Sequence, residues 1–243
     1  MNTEALRTVA ATYGTPTYIF DVREVEARIR LLRSLLPEDT GLCFAVKANP
    51  FLIPYVADLV DRLEVCSPGE YEICIQEQIA PEKIVVSGVN KTYESMKRIL
   101  SYSKGAGIYT IESEEHAKIL RTLAEKNQMP LSVLIRLSSG NQFGVDAETF
   151  LRLAKEIQES PYLTLAGVHY YAGTQKRQSK LEKELDTLTA FAKTFEEETG
   201  TVLNELEYGA GMKVSYFIND SEKDQRESEP EPQIQALAEK LRT

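Results

Sequence analysis

A lysine ends a short apolar run in the segment Phe44-Ala45-Val46-Lys47-Ala48-Asn49-Pro50. In an α/β barrel, side chains at the carboxyl ends of the strands form the active site. Partial burial there lowers the pKa of a lysine and leaves a neutral amine available as a nucleophile. The chemistry predicted for Lys47 is therefore a Schiff base with an aldehyde cofactor. The alternative is a lysine at a strand end that simply reaches solvent.

Two later segments join a strand to a loop of small residues. In residues 167–175, the aromatic side chain at the strand end can stack on a planar ring, and the Thr174 hydroxyl can bind a phosphate. In residues 207–212, Gly209-Ala210-Gly211 carries little side-chain bulk, so backbone N–H groups can approach a phosphate closely. Phosphate sites often follow the late strands of a barrel. Together with Lys47, these loops favour a phosphorylated, ring-containing aldehyde.

The elements that must position these residues alternate between strand and helix. Strands are predicted at 18–20, 42–46, 63–66, 84–86, 107–111, 133–137, 165–171 and 203–208. Helices are predicted at 22–36, 53–61, 68–78, 93–101, 113–127, 147–157, 178–199 and 233–241. Thr92 and Ser113 are expected to cap their helices, and Gly200 suits the residue after the longest one. The pattern indicates βαβ units and a parallel sheet, with a polar loop over 219–232.

Composition excludes several classes of function. The 243 residues carry a formal net charge of −9, and no basic block suits a nucleic-acid surface. No apolar run reaches the length of a membrane span, and the first residues do not resemble a signal peptide. Three scattered cysteines favour reduced thiols in the cytoplasm. No metal site is expected, and His116 in its charged stretch is expected to be a solvated surface residue.

Six segments in order resemble the alanine-racemase-like fold of pyridoxal 5'-phosphate (PLP) enzymes. Within it, the chain is similar to the family of ornithine, lysine, arginine and diaminopimelate decarboxylases, nearest to the diaminopimelate decarboxylases. The matching segments run through almost the whole chain, at residues 44–49, 64–70, 84–88, 142–144, 167–175 and 209–211. The resemblance implies a TIM (β/α)8-type PLP-binding barrel over residues 1–243. It also implies that an N-terminal strand within residues 1–21 pairs with a C-terminal β domain.

The resemblance implies a role for each site residue. Lys47 would hold PLP as a Schiff base, and Thr174, Gly209, Ala210 and Gly211 would bind its phosphate. The remaining cofactor-lining positions are Glu64, Ser67, Arg136, His169 and Tyr171. Three of these residues could instead have a purely structural role. Arg136 could be an interior ion-pair partner, Glu64 could merely pair with Lys47, and His169 could be a hydrogen-bonded core histidine.

Four positions depart from the family pattern. Tyr171 stands where the family has a histidine that stacks on the cofactor ring, and tyrosine cannot carry an imidazolium charge. Ala210 and Lys213 replace glycines of the phosphate loop, and Gln142 replaces a lysine. The change at Tyr171 puts the identity of the substrate in doubt more than the binding of PLP. The methyl group of Ala210 is expected to weaken the phosphate site, and Lys213 is expected to add a positive charge near it.

A further departure concerns strand eight. The Glu-x-Gly-Arg motif of the family has no match, since 229–232 is followed by Gln233. The barrel is therefore expected to be truncated before strand eight, with the C-terminal β domain absent. None of Cys43, Cys66 and Cys74 lies where that domain would supply a catalytic cysteine.

The implied function is a PLP-dependent amino-acid decarboxylase, in which a small amino-acid substrate replaces Lys47 on the cofactor and its α-carboxylate leaves as CO2. The implied assembly is a homodimer, with a second chain as another way to complete the barrel. The alternatives are a truncated or degenerate PLP-binding protein, an amino-acid racemase, and a PLP-homeostasis protein of the same fold.

Overall fold

A computed structural model of the chain describes residues 3–215 and 221–242, with the backbone alone described for 222–224. Its strands form one parallel sheet in sequence order, β1-β2-β3-β4-β5-β6-β7. The strands span Cys43–Ala45 (β1), Arg62–Val65 (β2), Ile84–Val86 (β3), Ile108–Ile111 (β4), Leu131–Arg136 (β5), Leu163–Tyr171 (β6) and Glu205–Gly209 (β7). The predicted α/β class and the seven predicted barrel strands are confirmed.

Helices precede the sheet, link its strands and follow it. They span Thr3–Tyr13 (α1), Val22–Leu35 (α2), Ile53–Val56 (α3), Pro68–Gln76 (α4), Tyr93–Ser103 (α5), Glu114–Asn127 (α6), Ala147–Gln158 (α7), Gln178–Thr199 (α8), Glu222–Glu227 (α9) and Pro230–Leu241 (α10). The predicted end signals are confirmed, because Thr92 and Ser113 cap α5 and α6 with their side chains. Gly200 takes the left-handed conformation after α8.

The sheet has an apolar outer face and a largely polar inner face. The large core cluster joins the outward strand residues, such as Leu63 and Ile135, to helix residues such as Phe150 and Phe195. A smaller cluster of Val85, Ile108 and Leu134 lies on the opposite face, since side chains alternate along a strand. Four strands separate β2 from β7 in the sheet, yet Arg62 on β2 forms an ion pair with Glu205 on β7. The sheet is therefore curled, with the inner face on its concave side.

Parallel register carries the site residues onto this inner face. His169 on β6 is paired in register with Arg136 on β5 and with Glu207 on β7. Glu64 occupies the corresponding inward position of β2, two residues after Arg62. Polar side chains that are far apart in sequence therefore share one level near the carboxyl ends of the strands.

Three predicted elements differ in the structure. The helix predicted over 53–61 is shorter, since α3 ends at Val56. Residues 18–20 form irregular backbone after α1 instead of a strand, and Tyr18 is exposed. None of the strands described pairs with this segment, so its backbone lacks the hydrogen bonds that a strand requires. The predicted polar loop over 219–232 is wrong where α9 and the first turn of α10 occupy it, while 219 and 220 lie outside the described residues. Pro230 is the first residue of α10, since proline suits the first turn of a helix. The side chains of Gln233 and Ile234 are buried and pack α10 against the domain.

The prediction of a solvated His116 is also wrong. Helix α6 turns this side chain inward, so it is buried, and its Nδ1 accepts a hydrogen bond from the Glu112 N–H at 3.3 Å. Burial lowers the pKa of His116 below its ordinary value. Charged neighbours in the sequence concealed that His116 belongs, with Ala117 and Leu120, to the buried face of the helix.

None of the described helices combines the length and the apolar character that a membrane span requires.

Gly88 follows β3 with a φ of +82°, and an added methyl group would overlap the backbone of Cys66. Gly140 has a similar φ of +87°, but nothing lies within 4 Å of the position of its methyl group. We expect Gly88→Ala to lower the free energy of unfolding by about 3 kcal/mol, since it adds steric overlap to backbone strain. Gly140→Ala should cost about 1 kcal/mol from strain alone. Urea unfolding measures both, and equal losses would contradict the close backbone contact at Gly88.

Candidate active site

Lys47 lies just beyond the carboxyl end of β1. The strand ends at Ala45, and Lys47 is the middle residue of a 3-10 turn over Val46–Ala48. Its Nζ is 4.0 Å from Oε2 of Glu64 and 5.4 Å from the centroid of the Tyr171 ring. Because about half of the side chain is exposed, the amine can be reached from solvent.

The protonation of Lys47 differs from the sequence-based expectation. Burial lowers its pKa, but the Glu64 carboxylate and the neighbouring Cys66 and Tyr171 outweigh burial, so the pKa lies above its ordinary value. The expected neutral amine is therefore wrong for this arrangement. A lysine held as a cation must lose its proton before it can act as a nucleophile.

Glu64 is the anion at the centre of the cluster. Ser87 donates its hydroxyl to Oε1 of Glu64 at 2.6 Å, and Nε2 of His169 lies 3.6 Å from the same oxygen. Burial alone would raise the pKa of Glu64, but His169, Ser87 and Lys47 together lower it to about 2. Glu64 therefore does more than pair with Lys47, since it also faces His169.

His169 and Glu207 each keep an unsatisfied polar atom in this cluster. His169 is 5% exposed, and among the described residues neither its Nδ1 nor Oε2 of Glu207 has a hydrogen-bond partner. Burial raises the pKa of Glu207 to about 7, against the opposing effect of His169. The alternative of a core histidine is therefore met in the burial of His169 and in the approach of its Nε2 to Glu64, and its role in lining the cofactor stays a prediction.

These side chains bring together atoms of the kind that bind metals. One ligand-type atom from each of Glu64, His169 and Glu207 lies within 4.8 Å of the other two. The sequence separation of these residues concealed the cluster, because they come from three strands. The expectation of no metal rested on spacing alone and stays a prediction.

Arg136 ends β5 inside a buried charge network. Its guanidinium contacts Oε2 of Glu112 at 2.7 Å, and Oε1 of Glu112 lies 3.4 Å from Nζ of Lys91. The ring of Phe143 lies 5.1 Å from the Arg136 guanidinium carbon. The interior ion pair expected as the alternative role of Arg136 is thus present.

Ser67 acts locally as a helix cap. Its hydroxyl accepts a hydrogen bond from the Glu70 N–H at 3.2 Å at the start of α4. The Glu70 carboxylate in turn accepts a hydrogen bond from the Cys66 N–H at 2.8 Å. These two hydrogen bonds hold the turn between β2 and α4 in place. This turn sets the position of α4 relative to Glu64.

The loops after β6 and β7 lie side by side. Tyr171 is paired in register with Gly209, and a methyl group at Gly209 would overlap the Tyr171 ring. Gly211 has a φ of +59°, and a methyl group there would overlap the carbonyl oxygen of Gly173. Thr174, in the loop after β6, is exposed, and Ala210, in the loop after β7, is partly exposed. Two of the loop positions thus require glycine for space.

These features fit a phosphorylated pyridine aldehyde. The chain presents an accessible lysine amine, an aromatic ring facing that amine, and an adjoining loop without side-chain bulk beside an exposed threonine. Together with the seven parallel strands, these residues define the class of PLP-binding barrel domains.

The chain belongs to the family of pyridoxal-dependent decarboxylases, pyridoxal binding domain, whose model matches residues 22–242. Membership of this family assigns PLP as the cofactor.

Known relatives agree with this family. The chain is 31% identical to diaminopimelate decarboxylase from Actinosynnema pretiosum over 235 residues, covering 89% of this chain and 52% of the relative. It is also 31% identical to diaminopimelate decarboxylase from Pseudomonas aeruginosa over 232 residues, covering 87% and 55%. A structure of diaminopimelate decarboxylase from M. jannaschii superimposes with a TM-score of 0.82 at 20% identity, covering 96% of this chain and 58% of that one. The chain spans about half the length of the curated relatives it matches.

The fold brings together four of the sequence-predicted residues, Lys47, Glu64, His169 and Tyr171, with the glycine loop beside Tyr171. Arg136 and Ser67 point their polar groups to Glu112 and to helix α4.

Sequence reasoning missed Glu207. The alternation of Glu205, Glu207 and Gly209 along β7 was the available signal, because a strand with polar residues at every second position faces a polar interior.

The raised pKa of Glu207 makes stability depend on pH. Burial raises the pKa of Glu207 from its ordinary value of 4.5 to about 7, so the folded state binds more protons between these two pH values. Its contribution to the free energy of unfolding is therefore present below pH 4.5 and is lost as pH rises through about 7. Glu207→Gln should remove this fall and be more stable than the parent at pH 8. Glu125→Gln, an exposed position on α6, is the control, and identical pH profiles for parent and Glu207→Gln would contradict the assignment.

Proposed function

We propose that this chain is the cofactor-binding barrel of a PLP-dependent amino-acid decarboxylase that acts on diaminopimelate or a similar amino acid. The observation that carries the proposal is Lys47, whose amine lies at a strand end between the Glu64 carboxylate and the Tyr171 ring. The relatives at 31% identity are diaminopimelate decarboxylases, and they support this substrate class.

Each residue of the cluster has a proposed task. Lys47 binds the aldehyde carbon of the cofactor, and Tyr171 covers a face of its ring. Thr174 and the backbone of Gly209, Ala210 and Gly211 bind its phosphate. When bound, PLP supplies the electron sink that allows the α-carboxylate of an amino acid to leave as CO2.

The charged residues control protons around Lys47. Glu64 remains ionised at neutral pH, since its pKa is about 2, and it orients the ammonium group of Lys47. Glu207, with a pKa of about 7, can hold or release a proton close to His169. Arg136 and Ser67 support the cofactor site indirectly. Arg136 holds the end of β5 through its ion pair with Glu112, and Ser67 holds the turn before α4.

A second candidate is a PLP-binding protein that is not catalytic by itself. The observation that favours it is the sheet, in which β1 and β7 are both edge strands among the strands described. A complete decarboxylase site would then require a further strand, either from the same polypeptide or from a second chain.

Lys47→Ala tests the cofactor assignment and the reaction together. We expect the purified chain with PLP to give the visible absorption band of a protein-bound Schiff base, and the variant to lose that band. Lys155→Ala, an exposed position on α7, is the control and should keep it. CO2 release from diaminopimelate, absent in Lys47→Ala, supports catalysis.

Three other outcomes separate the alternatives. A band that persists in Lys47→Ala contradicts the cofactor assignment. Racemisation without CO2 contradicts a decarboxylase, and a Lys47-dependent band without any reaction favours the second candidate.

We also propose a homodimer. Phe51 and Tyr55 follow Lys47 in the chain and are 79% and 54% exposed, and exposed aromatic side chains beside a site suit a protein interface. Sedimentation equilibrium is expected to give twice the chain mass at micromolar concentration. A monomer at every concentration would contradict this proposal.

We propose a cytoplasmic location as well. The cysteines Cys43, Cys66 and Cys74 are all free thiols, as suits a reducing compartment. Recovery in the cytosolic fraction of its host is expected, and recovery outside that fraction would contradict it.

A further inference from the structure

Lys176 joins the two loops assigned to phosphate binding. Its backbone N–H donates to the carbonyl oxygen of Gly211 at 2.9 Å, and Lys176 pairs with Met212 in an isolated parallel bridge. The preceding residue repeats the connection, because the Gln175 side chain exchanges two hydrogen bonds with the backbone of Val214, at 2.9 and 3.0 Å. The loop after β6 and the loop after β7 therefore form one unit.

The side chain of Lys176 is buried behind the glycine loop. It is 1% exposed, and its Nζ contacts Oε2 of Glu184 on α8 at 2.7 Å and the carbonyl oxygen of Gly209 at 3.1 Å. Tyr208 donates its hydroxyl to the same Glu184 oxygen at 2.8 Å, and its ring lies 5.2 Å from Nζ. A cation, a carboxylate and a tyrosine thus link β7, α8 and the loop after β6.

Lys176 also orients the carbonyl groups of the glycine loop. Its Nζ holds the Gly209 oxygen and its backbone N–H holds the Gly211 oxygen. A loop that binds an anion must keep carbonyl oxygens away from it, because two negative groups repel one another. Two of the three carbonyl oxygens of Gly209-Ala210-Gly211 are therefore kept on the Lys176 side of the loop.

Stability alone does not account for a charged residue at this place. A buried ion pair loses hydration, and an apolar pair of similar volume is often as stable. The donor at Nζ supplies what an apolar side chain cannot, which is a hydrogen bond to the Gly209 carbonyl. The side-chain carbon next to Nζ also lies 3.0 Å from the position a methyl group would take at Gly211.

We propose that Lys176 is a positioning residue for the phosphate of the cofactor, acting through the carbonyl groups of Gly209 and Gly211. This inference rests on the proposed function of the Lys47 site. It assigns to Lys176 no contact with the phosphate, since Glu184 and Gly209 already occupy its Nζ among the described residues.

The test compares PLP with pyridoxal, which has the same aldehyde and ring but no phosphate. The variant is Lys176→Met/Glu184→Gln, because Lys176→Met alone leaves the Glu184 charge buried without its cation. Lys193→Met, an exposed position on α8, is the matched control. Binding is followed by the Lys47-dependent absorption band, and folding by circular dichroism and urea unfolding.

We expect the double variant to fold with nearly the parent's stability and to bind PLP about tenfold more weakly, as for the loss of one hydrogen bond from a charged group. Its affinity for pyridoxal should equal that of the parent and of Lys193→Met. The change is then confined to the phosphate, which a general loss of stability would not produce.

Any one of four results would overturn the inference. An unchanged preference for PLP over pyridoxal would leave Lys176 without a role in phosphate binding. An equal loss of affinity for PLP and pyridoxal would show that the Lys176–Glu184 pair does not act through the phosphate. A double variant that does not fold would show that the pair serves the stability of the domain. Absence of any Lys47-dependent band in the parent would instead remove the proposed function and the inference with it.

Discussion

The Glu64 carboxylate is the charge on which the arrangement of the site depends. An ionised carboxylate with little exposure must be compensated, and Ser87, His169 and Lys47 supply that compensation from three other segments of the inner face. Their combined effect lowers the pKa of Glu64 to about 2, so the charge persists at any physiological pH. This fixed anion holds the Lys47 ammonium group facing Tyr171, and the glycine loop adjoins that ring.

Other buried charges follow the same rule of local compensation. Lys91, Glu112 and Arg136 form a network at the carboxyl ends of β4 and β5, and Lys176 pairs with Glu184 on α8. Glu207 is the contrast, because its pKa of about 7 allows it to be neutral beside His169. A cluster that combines a permanent anion with a group titrating near neutrality can bind a cation and exchange a proton in the same small space.

The sequence predicted the fold well because its signals are periodic. Continuous apolar runs such as 133–137 and capping residues such as Ser113 act locally, and the parallel sheet follows from their alternation. Lys47, Glu64, His169 and Tyr171 could be found because their motifs occur in order. Glu207, Lys176 and His116 were missed because their burial depends on contacts between distant elements. The raised pKa of Lys47 was missed for the same reason, since its cause is the facing Glu64.

Everything proposed for this site requires that Lys47 be the amine that binds the aldehyde of the cofactor. Borohydride reduction of the chain with PLP, followed by peptide mass mapping, gives the sharpest test because reduction fixes the cofactor to the nitrogen that holds it. We expect one phosphopyridoxyl group on the peptide containing Lys47, at one equivalent per chain. Labelling of another lysine instead, or scattered labelling of exposed lysines with Lys47 unmodified, would contradict the assignment.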